Sequence, residues 1–460
     1  MNVAQKPHES LKNDDMLTDA QEEVRLHYET FPYPLVNPED ERKRLSTTVH
    51  EAFDRLNHFC YEGRRDFNQP FRALFAGGGT GEGLVHLAEQ MRGRKAEIIY
   101  LDRSGASLAI AKKRIEIRGL ENVTWIQDSL LNIPTLGLGT FDYINCSGVL
   151  HHLPEPEAGL KILADALSEK GAMGLMLYAK YGRLAIYPLQ EALRLINRGE
   201  PDLQKRVDNA KAILSHLPPT NWFIQSPPAF LQEIRSDAGI YDLLLHARDR
   251  AYSIPELYDF LETAGLNLLQ FFHEGYPEAG NLYNPATYLQ DTKLREKVST
   301  FSRRDQHTLA ELLHGKIYKH TFYAAKHAPK PPTLEDVSVI PLFGFDVEDG
   351  KEKILGMIRA AEGASVTITH PQSKVSAILQ KTPHLTALYS QIDGRRPLRE
   401  ILARVAAEEG AAHADLTRQF TALYDAFHHA GWMYLRMPES SEVIYPPALQ
   451  QRVFPMKEGV

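Results

Sequence analysis

Cysteine is nearly absent from this chain. Its 460 residues include only Cys60 and Cys146. They are too few and too far apart for a disulfide framework or a cysteine-built zinc site, and a reducing cytoplasm fits such usage. No metal is expected. Long apolar runs are missing as well. No stretch approaches the roughly 18 residues of a membrane span, and the opening Met1-Asn-Val-Ala-Gln-Lys-Pro-His-Glu-Ser10 lacks the apolar core of a signal peptide. Nor is there a surplus of positive charge. Lys and Arg total 52 against 59 Asp and Glu, a net charge of −7, which argues against a general nucleic-acid binder. No internal repeat is visible. What remains is an ordinary globular composition, long enough for two or three domains with buried cores.

Punctuation divides the chain. Residues 1–20 are polar and read as loose, and 1–70 as a helical N-terminal cap. Within the cap, one helix is expected over Gln21 to Thr30, stopped by Phe31-Pro-Tyr-Pro34, because proline lacks an N–H and disfavours helix before it. A second is expected over roughly 39–62. From residue 71 strands and helices alternate, which predicts a parallel sheet with right-handed crossovers. The expected strands are Ala73–Ala76, Glu97–Leu101, Val123–Gln127, Phe141–Cys146 and Met173–Tyr178. Helices fit over Gly83–Met91, Ser107–Arg118 and Glu157–Leu167. A helix-rich insertion, about 180–250, contains Pro218, Pro219, Pro227 and Pro228. The rhythm then resumes, with a helix from Ser253-Ile-Pro-Glu256 to Ala264, a strand over Leu266–Phe272, a second insertion at about 273–314 and a last strand near 316–325. His327-Ala-Pro-Lys-Pro-Pro-Thr333 reads as a linker. Residues 335–460 read as a small separate domain, with helices over Leu385 to Val405 and Leu416 to His429 and a terminal strand near Gly431–Arg436.

The densest signal is Phe71-Arg-Ala-Leu-Phe-Ala-Gly-Gly-Gly-Thr-Gly-Glu-Gly83. An apolar strand enters a glycine turn and a helix follows, the device by which α/β proteins bring backbone close to a cofactor. Asp102 ends the second strand roughly 20 residues on, where a carboxylate can accept both ribose hydroxyls. Asp128 ends the third strand, where a polar residue can read an adenine amine. The fourth strand runs into Asn145-Cys-Ser-Gly-Val-Leu-His-His-Leu-Pro154. These strand ends share one edge of the sheet, where ligands bind in open α/β folds.

Together these segments resemble the class I S-adenosylmethionine-dependent methyltransferases, over roughly 70–180 and 250–325. The resemblance implies a seven-stranded Rossmann-like α/β sheet and S-adenosylmethionine as cofactor. It places Ala76, Gly77, Gly79 and Gly81 beneath the methionine and ribose. It puts Asp102 on the ribose hydroxyls, Arg103 beside the adenine, Asp128 with Ser129 on its amine, and Asn145 and Ser147 near the methyl group. Tyr28-Glu-Thr-Phe-Pro-Tyr-Pro34 resembles the cap of a bacterial group of large methyltransferases, so Tyr28 and Tyr33 cover the cofactor or anchor the cap. One position departs from the pattern. The family often carries an acidic residue at the end of the first strand, where Phe75 stands, which turns attention to the N-terminal cap for the cofactor's ammonium. A nicotinamide dehydrogenase would use the glycine turn and Asp102 equally well. His151-His-Leu-Pro154 and the late strand favour a methyltransferase.

Methyl transfer asks the protein mainly for alignment and a dry site, and for a base only when the acceptor arrives protonated. His151 and Tyr181 are the catalytic candidates. His152 is read as packing or hydrogen-bonding the loop rather than as a base. Tyr178, Lys180 and Arg183 are read either as acceptor-pocket residues or as surface loop. His246-Ala-Arg-Asp-Arg250 is read as a substrate-binding cluster or an ion-paired loop. Ala387 to Leu402 resembles small winged-helix domains that dock partners. Three functions stay open: methylation of a protein or peptide, methylation of a small or lipid-like metabolite, and a non-catalytic cofactor-binding regulator. No nucleic-acid or membrane partner is expected, and a homodimer is allowed.

Overall fold

The computed structural model describes residues 22–226, 228–272, 282–344, 347–371 and 375–443. The polar stretch 1–20, Pro227, the start of the second insertion and the end of the tail lie outside them.

A helix over 22–30 (α1) stops at the expected Phe31-Pro32. The long helix expected next does not form. A 3-10 turn at Pro38–Arg42 leads into irregular chain, and only Phe53–Cys60 (α2) is α-helical. The intervening segment is held by side chains instead: Thr48 N donates to His86 Nδ1 at 3.1 Å, and Gln90 Nε2 donates to Glu51 O at 2.7 Å. Such partners outcompete a helix rich in Ser, Thr and Val at this point.

The sheet follows the expected rhythm. Its elements are β1 (Phe71–Ala76), α3 (Glu82–Gln90), β2 (Ala96–Asp102), α4 (Gly105–Ile117), β3 (Val123–Gln127), β4 (Phe141–Ser147), α5 (Pro156–Ala166) and β5 (Leu167–Ala179). The insertion supplies α6 (Ile186–Ile196), α7 (Leu203–Leu214), α8 (Pro228–Glu233) and α9 (Asp237–Ile240), continued by a π turn over Tyr241–Leu245. Then come β6 (Ala251–Tyr252), α10 (Ile254–Thr263), β7 (Asn267–Phe272), α11 (Thr292–Ser299), α12 (Arg303–His314) and β8 (Lys319–Ala325). The two-residue β6, paired to β5, is too short to show a sequence period.

The strand order is β3-β2-β1-β4-β5-β8-β7. The first five strands run parallel, while β8 is antiparallel to both neighbours. Helices cover both faces. Leu74, Ile99, Ile144 and Leu175 face one core, and Ala73, Phe75, Ile98 and Tyr143 the other. The second core also takes in α2 through Phe53, Leu56 and Cys60, so the cap is part of the body of the domain. Glu41 adds a buried ion pair to Arg114 of α4 at 2.7 Å, whose Nη1 donates to Thr80 O at 2.8 Å.

The C-terminal region contains β9 (Ile340–Phe343), α13 (Lys351–Ala360), a hairpin of β10 (Ser365–Thr369) and β11 (Ser376–Gln380), then α14 (Leu385–Ser390), α15 (Leu398–Glu409), α16 (His413–His429) and β12 (Met433–Arg436). β12 pairs antiparallel with β9, and a separate core of Ile354, Leu388, Ile401, Phe420 and Trp432 fills the interior. The winged-helix resemblance is not confirmed here. The hairpin precedes the three helices, and the ends of the region close on each other through β9 and β12. This region grips α2: Arg55 Nε donates to Tyr434 OH at 2.9 Å, Leu435 N donates to His58 Nδ1 at 3.2 Å, and Met437 N donates to Gly63 O at 2.8 Å.

Candidate active site

The turn after β1 uses glycine for two separate reasons. Gly77, Gly79 and Gly81 have φ of 75°, 52° and 89°, the left-handed region that favours glycine. Gly78 is constrained by space, since a Cβ there would enter the ring of Tyr100. Tyr100 OH in turn donates to Gly79 O at 2.5 Å.

Asp102 sits beside this turn at the tip of β2. Its Oδ2 accepts from Gly79 N and its Oδ1 from Ser104 N, both at 2.8 Å. Burial pushes its pKa up, against these backbone donors. At the tip of β3, Asp128 Oδ1 accepts from Ser129 N and Asn132 Nδ2, each at 2.7 Å, and the Ser129 hydroxyl caps the following 3-10 turn. At the tip of β4, Asn145 Nδ2 donates to Glu51 Oε1 at 2.6 Å, and Ser147 Oγ lies 3.3 Å from His50 Nδ1.

The cap closes over these strand tips. Glu29 accepts from Gly105 N and Ala106 N at the start of α4, at 2.6 and 3.1 Å, a carboxylate placed where a helix dipole favours it. Ser104 Oγ donates to Tyr28 O at 3.1 Å, and Thr80 Oγ1 donates to Pro34 O at 3.0 Å. A side chain on Gly79 would approach Tyr33 O to 3.2 Å. The result is a cleft of about 890 Å³ bounded by the cap, the strand tips and the insertion.

Of the expected site residues, Tyr28, Tyr33, Gly77, Gly79, Gly81, Asp102, Arg103, Asp128, Ser129, Asn145 and Ser147 all line this cleft, while Ala76 lies behind the turn. The paired histidines separate. His152 lines the cleft and His151 does not. His151 is fully buried and packs against Tyr178 with tilted rings whose centroids are 3.9 Å apart. Tyr181 is absent from the cleft wall, whereas Tyr178 and Arg183 form part of it. Lys180 points instead to Glu256, at 3.0 Å. In the 246–250 cluster Asp249 pairs with Arg183 and Arg250 with Glu157, both at 2.7 Å, while Arg248 lines the cleft.

One end of the cleft is an aromatic chamber with a buried acid, Asp242, and a half-buried one, Glu233. Tyr28 OH and Tyr178 OH donate to the two oxygens of Asp242, at 3.0 and 3.2 Å. Tyr33 OH donates to Glu233 Oε1 at 2.8 Å. Burial raises the Glu233 pKa and lifts that of Asp242 to about 6, with nearby His152 pulling it back. Burial also raises Tyr28 and Tyr33 well above their ordinary values, so both act as donors. The ligand atoms of His152, Asp242 and His246 lie within 4.8 Å of one another. Their tautomers follow from their partners. His152 Nδ1 meets Arg248 O at 2.7 Å and so donates, while His246 Nδ1 accepts from Arg248 N at 3.0 Å. The second arrangement leaves the proton on His246 Nε2, which suits proton exchange better than metal ligation.

Three residues of this wall escaped the sequence reading. Asp242 and Glu233 lie in an insertion without a recognisable motif, and Glu51 lies in the segment expected to be helical. The missing acid at Phe75 was the one signal pointing toward Glu51.

A model of a methyltransferase domain matches residues 74–173, the stretch from β1 into β5. The chain belongs to the class I S-adenosylmethionine-dependent methyltransferases. An uncharacterised protein of Synechococcus sp. is 32% identical over 321 residues, covering 69% of this chain and 73% of that one. A ubiquinone biosynthesis O-methyltransferase of Escherichia coli is 24% identical over 138 residues, 29% of this methyltransferase and 56% of that protein. The structure of PKMT2 from Rickettsia typhi is similar with a TM-score of 0.57 at 16% identity, covering 83% of this chain and 74% of that chain. A second structure of PKMT2, in complex with AdoHcy, also has a TM-score of 0.57, at 14% identity, with 88% and 77% covered. The methyltransferase is thus an enzyme using S-adenosylmethionine. The glycine cradle, the Asp102 carboxylate with a lone pair left on each oxygen, and a cleft of sufficient volume fit that cofactor. Among the described residues, no helix is long and apolar enough to cross a membrane.

Proposed function

We propose that this methyltransferase modifies an amine nitrogen carried by a protein or peptide. In this reading Gly77, Gly79 and Gly81 pass under the cofactor, Asp102 holds its ribose, Asp128 and Arg103 meet its adenine, and Asn145 and Ser147 border the methyl end. The cofactor supplies an electrophilic methyl group. The chain must then deliver an unprotonated acceptor to it.

The carrying observation is the Asp242–Glu233 pair in an aromatic wall. A buried and a half-buried carboxyl framed by Tyr28, Tyr33, Tyr178 and Phe230 suit a group that arrives cationic, through charge and ring-face attraction together. Asp242, with a pKa of about 6, is matched to accept a proton near neutrality. The neighbouring His152, with Nδ1 donating to Arg248 O, keeps Nε2 as a second acceptor. The same insertion exposes Leu184, Trp222, Ile224 and Leu231 on the segments flanking the chamber. Exposed apolar side chains in the insertion that contributes Asp242 and Glu233 favour a macromolecular acceptor over a free metabolite.

The test is to incubate the enzyme with radiolabelled S-adenosylmethionine and cell extract. Base-stable label on proteins is expected. Label confined to small molecules, or a base-labile ester, would overturn the acceptor assignment.

A further inference from the structure

Phe75 leaves the first strand without the acid that the resemblance anticipates, yet a carboxylate occupies the same neighbourhood. Glu51, from the irregular segment before α2, lies fully buried at the floor of the cleft. Its Oε1 accepts from Asn145 Nδ2 at 2.6 Å and from Tyr143 OH at 2.8 Å. Its Oε2 accepts from Thr48 Oγ1. Asn145 is paired in register with Phe75 across β1 and β4, so the carboxylate stands over the tips of the two central strands. A Cβ on Gly83 would lie 3.0 Å from Glu51 Cδ and 3.1 Å from Phe75 Cε1. The acid and the ring edge therefore flank one point, at the first turn of the helix that follows the glycine loop.

Three donors on one buried carboxylate fix its orientation. Little else explains an acid so firmly aimed at this edge. A packing role alone would be served better by an apolar residue, since burying a charge is costly. We propose that Glu51 is the anchor for the primary ammonium of the cofactor's amino-acid part, delivered from the cap in place of a strand-end acid, with Thr48 and Asn145 as its positioning residues. The proposal rests on the cleft being the cofactor site.

Calorimetry on the full chain tests it with three ligands: S-adenosylhomocysteine, its analogue with hydrogen in place of the amino group, and 5′-methylthioadenosine, which lacks the whole amino-acid part. For the wild-type protein, deleting the amino group should weaken binding roughly 10- to 100-fold, the range of a charge-assisted hydrogen bond. In Glu51→Gln that difference should collapse, while methylthioadenosine affinity stays within about twofold. The coupling between ligand group and side chain, not either loss alone, is the readout. Equal loss for all three ligands would make Glu51 a structural residue and refute the proposal. So would a wild-type protein indifferent to the amino group, a result that stands even if the variant does not fold. Failure of the wild type to bind methylthioadenosine or S-adenosylhomocysteine at all would instead indict the cleft as the cofactor site.

Discussion

Replacing Asp242 by Asn should separate stability from function, with a sign set by pH. The Asp242 carboxyl is 2% exposed, and burial raises its pKa from 3.8 to about 6. The folded protein therefore binds a proton that the unfolded chain has already released between those values. Stability falls as pH rises through that window, because the unfolded state binds fewer protons there. A rise of about 2 units is worth roughly 3 kcal/mol, and this is the cost of holding the ionised group above pH 6. Asparagine escapes it. Thermal unfolding of the two proteins should nearly coincide at pH 4, with the variant becoming the more stable as pH rises to about 6 and the gap level from about pH 7 to 8. Its methyl transfer should be strongly reduced, and the rise of the wild-type rate through about pH 6 should vanish. A stability gap that does not change with pH would refute the argument that Asp242 is a buried, titrating base.

Asp102→Ala should weaken S-adenosylmethionine binding about 10- to 100-fold by calorimetry, the loss of charge-assisted bonds to the ribose; unchanged affinity would displace the cofactor from this edge. Gly78→Ala should cost about 1–3 kcal/mol through the clash with Tyr100, read as a lowered melting temperature. Glu41→Ala leaves the buried Arg114 without its carboxylate while Arg118 keeps Glu89, and should cost about 3–5 kcal/mol, again by thermal unfolding. Tyr33→Phe removes the donor to Glu233 and should lower kcat while leaving S-adenosylhomocysteine affinity within about twofold; a selective loss of cofactor affinity would move Tyr33 to the cofactor side.

Most of the central sheet was readable because its strands are buried on both faces. Ala73-Leu-Phe-Ala76 and Ile98-Ile-Tyr-Leu101 are continuous apolar runs, the signature of parallel strands; α3 and α5 show amphipathic spacing and α4 is capped by Ser104. The hairpin at 365–380 was readable in principle, since its residues alternate buried and exposed, but short strands of Ser, Thr and Ala give a weak period. The segment 43–52 was not readable, because its path depends on His86, Gln90 and Asn145, distant in sequence. For the same reason the sequence favours His151 as the cleft residue, whereas the fold brings His152 there instead. Which of them meets the cleft depends on Arg248, whose carbonyl claims His152 Nδ1. The acids of the chamber lie in a connection without periodic constraint, where only the folded path brings Asp242 to Tyr28.

The grip of β12 on α2 has a consequence for the order of synthesis. The segment carrying Thr48 and Glu51 runs directly into Phe53–Cys60, whose outer face is bonded by Tyr434 and Leu435. A nascent chain released as far as β8 has every strand of the large sheet but not the element that braces the floor of its cleft. Among the described residues, the final strand therefore completes a brace begun next to the N-terminal segment that carries Glu51. Chains that stop at β8 carry the glycine turn and Asp102 but lack the bonds that Tyr434 and Leu435 make to Arg55 and His58.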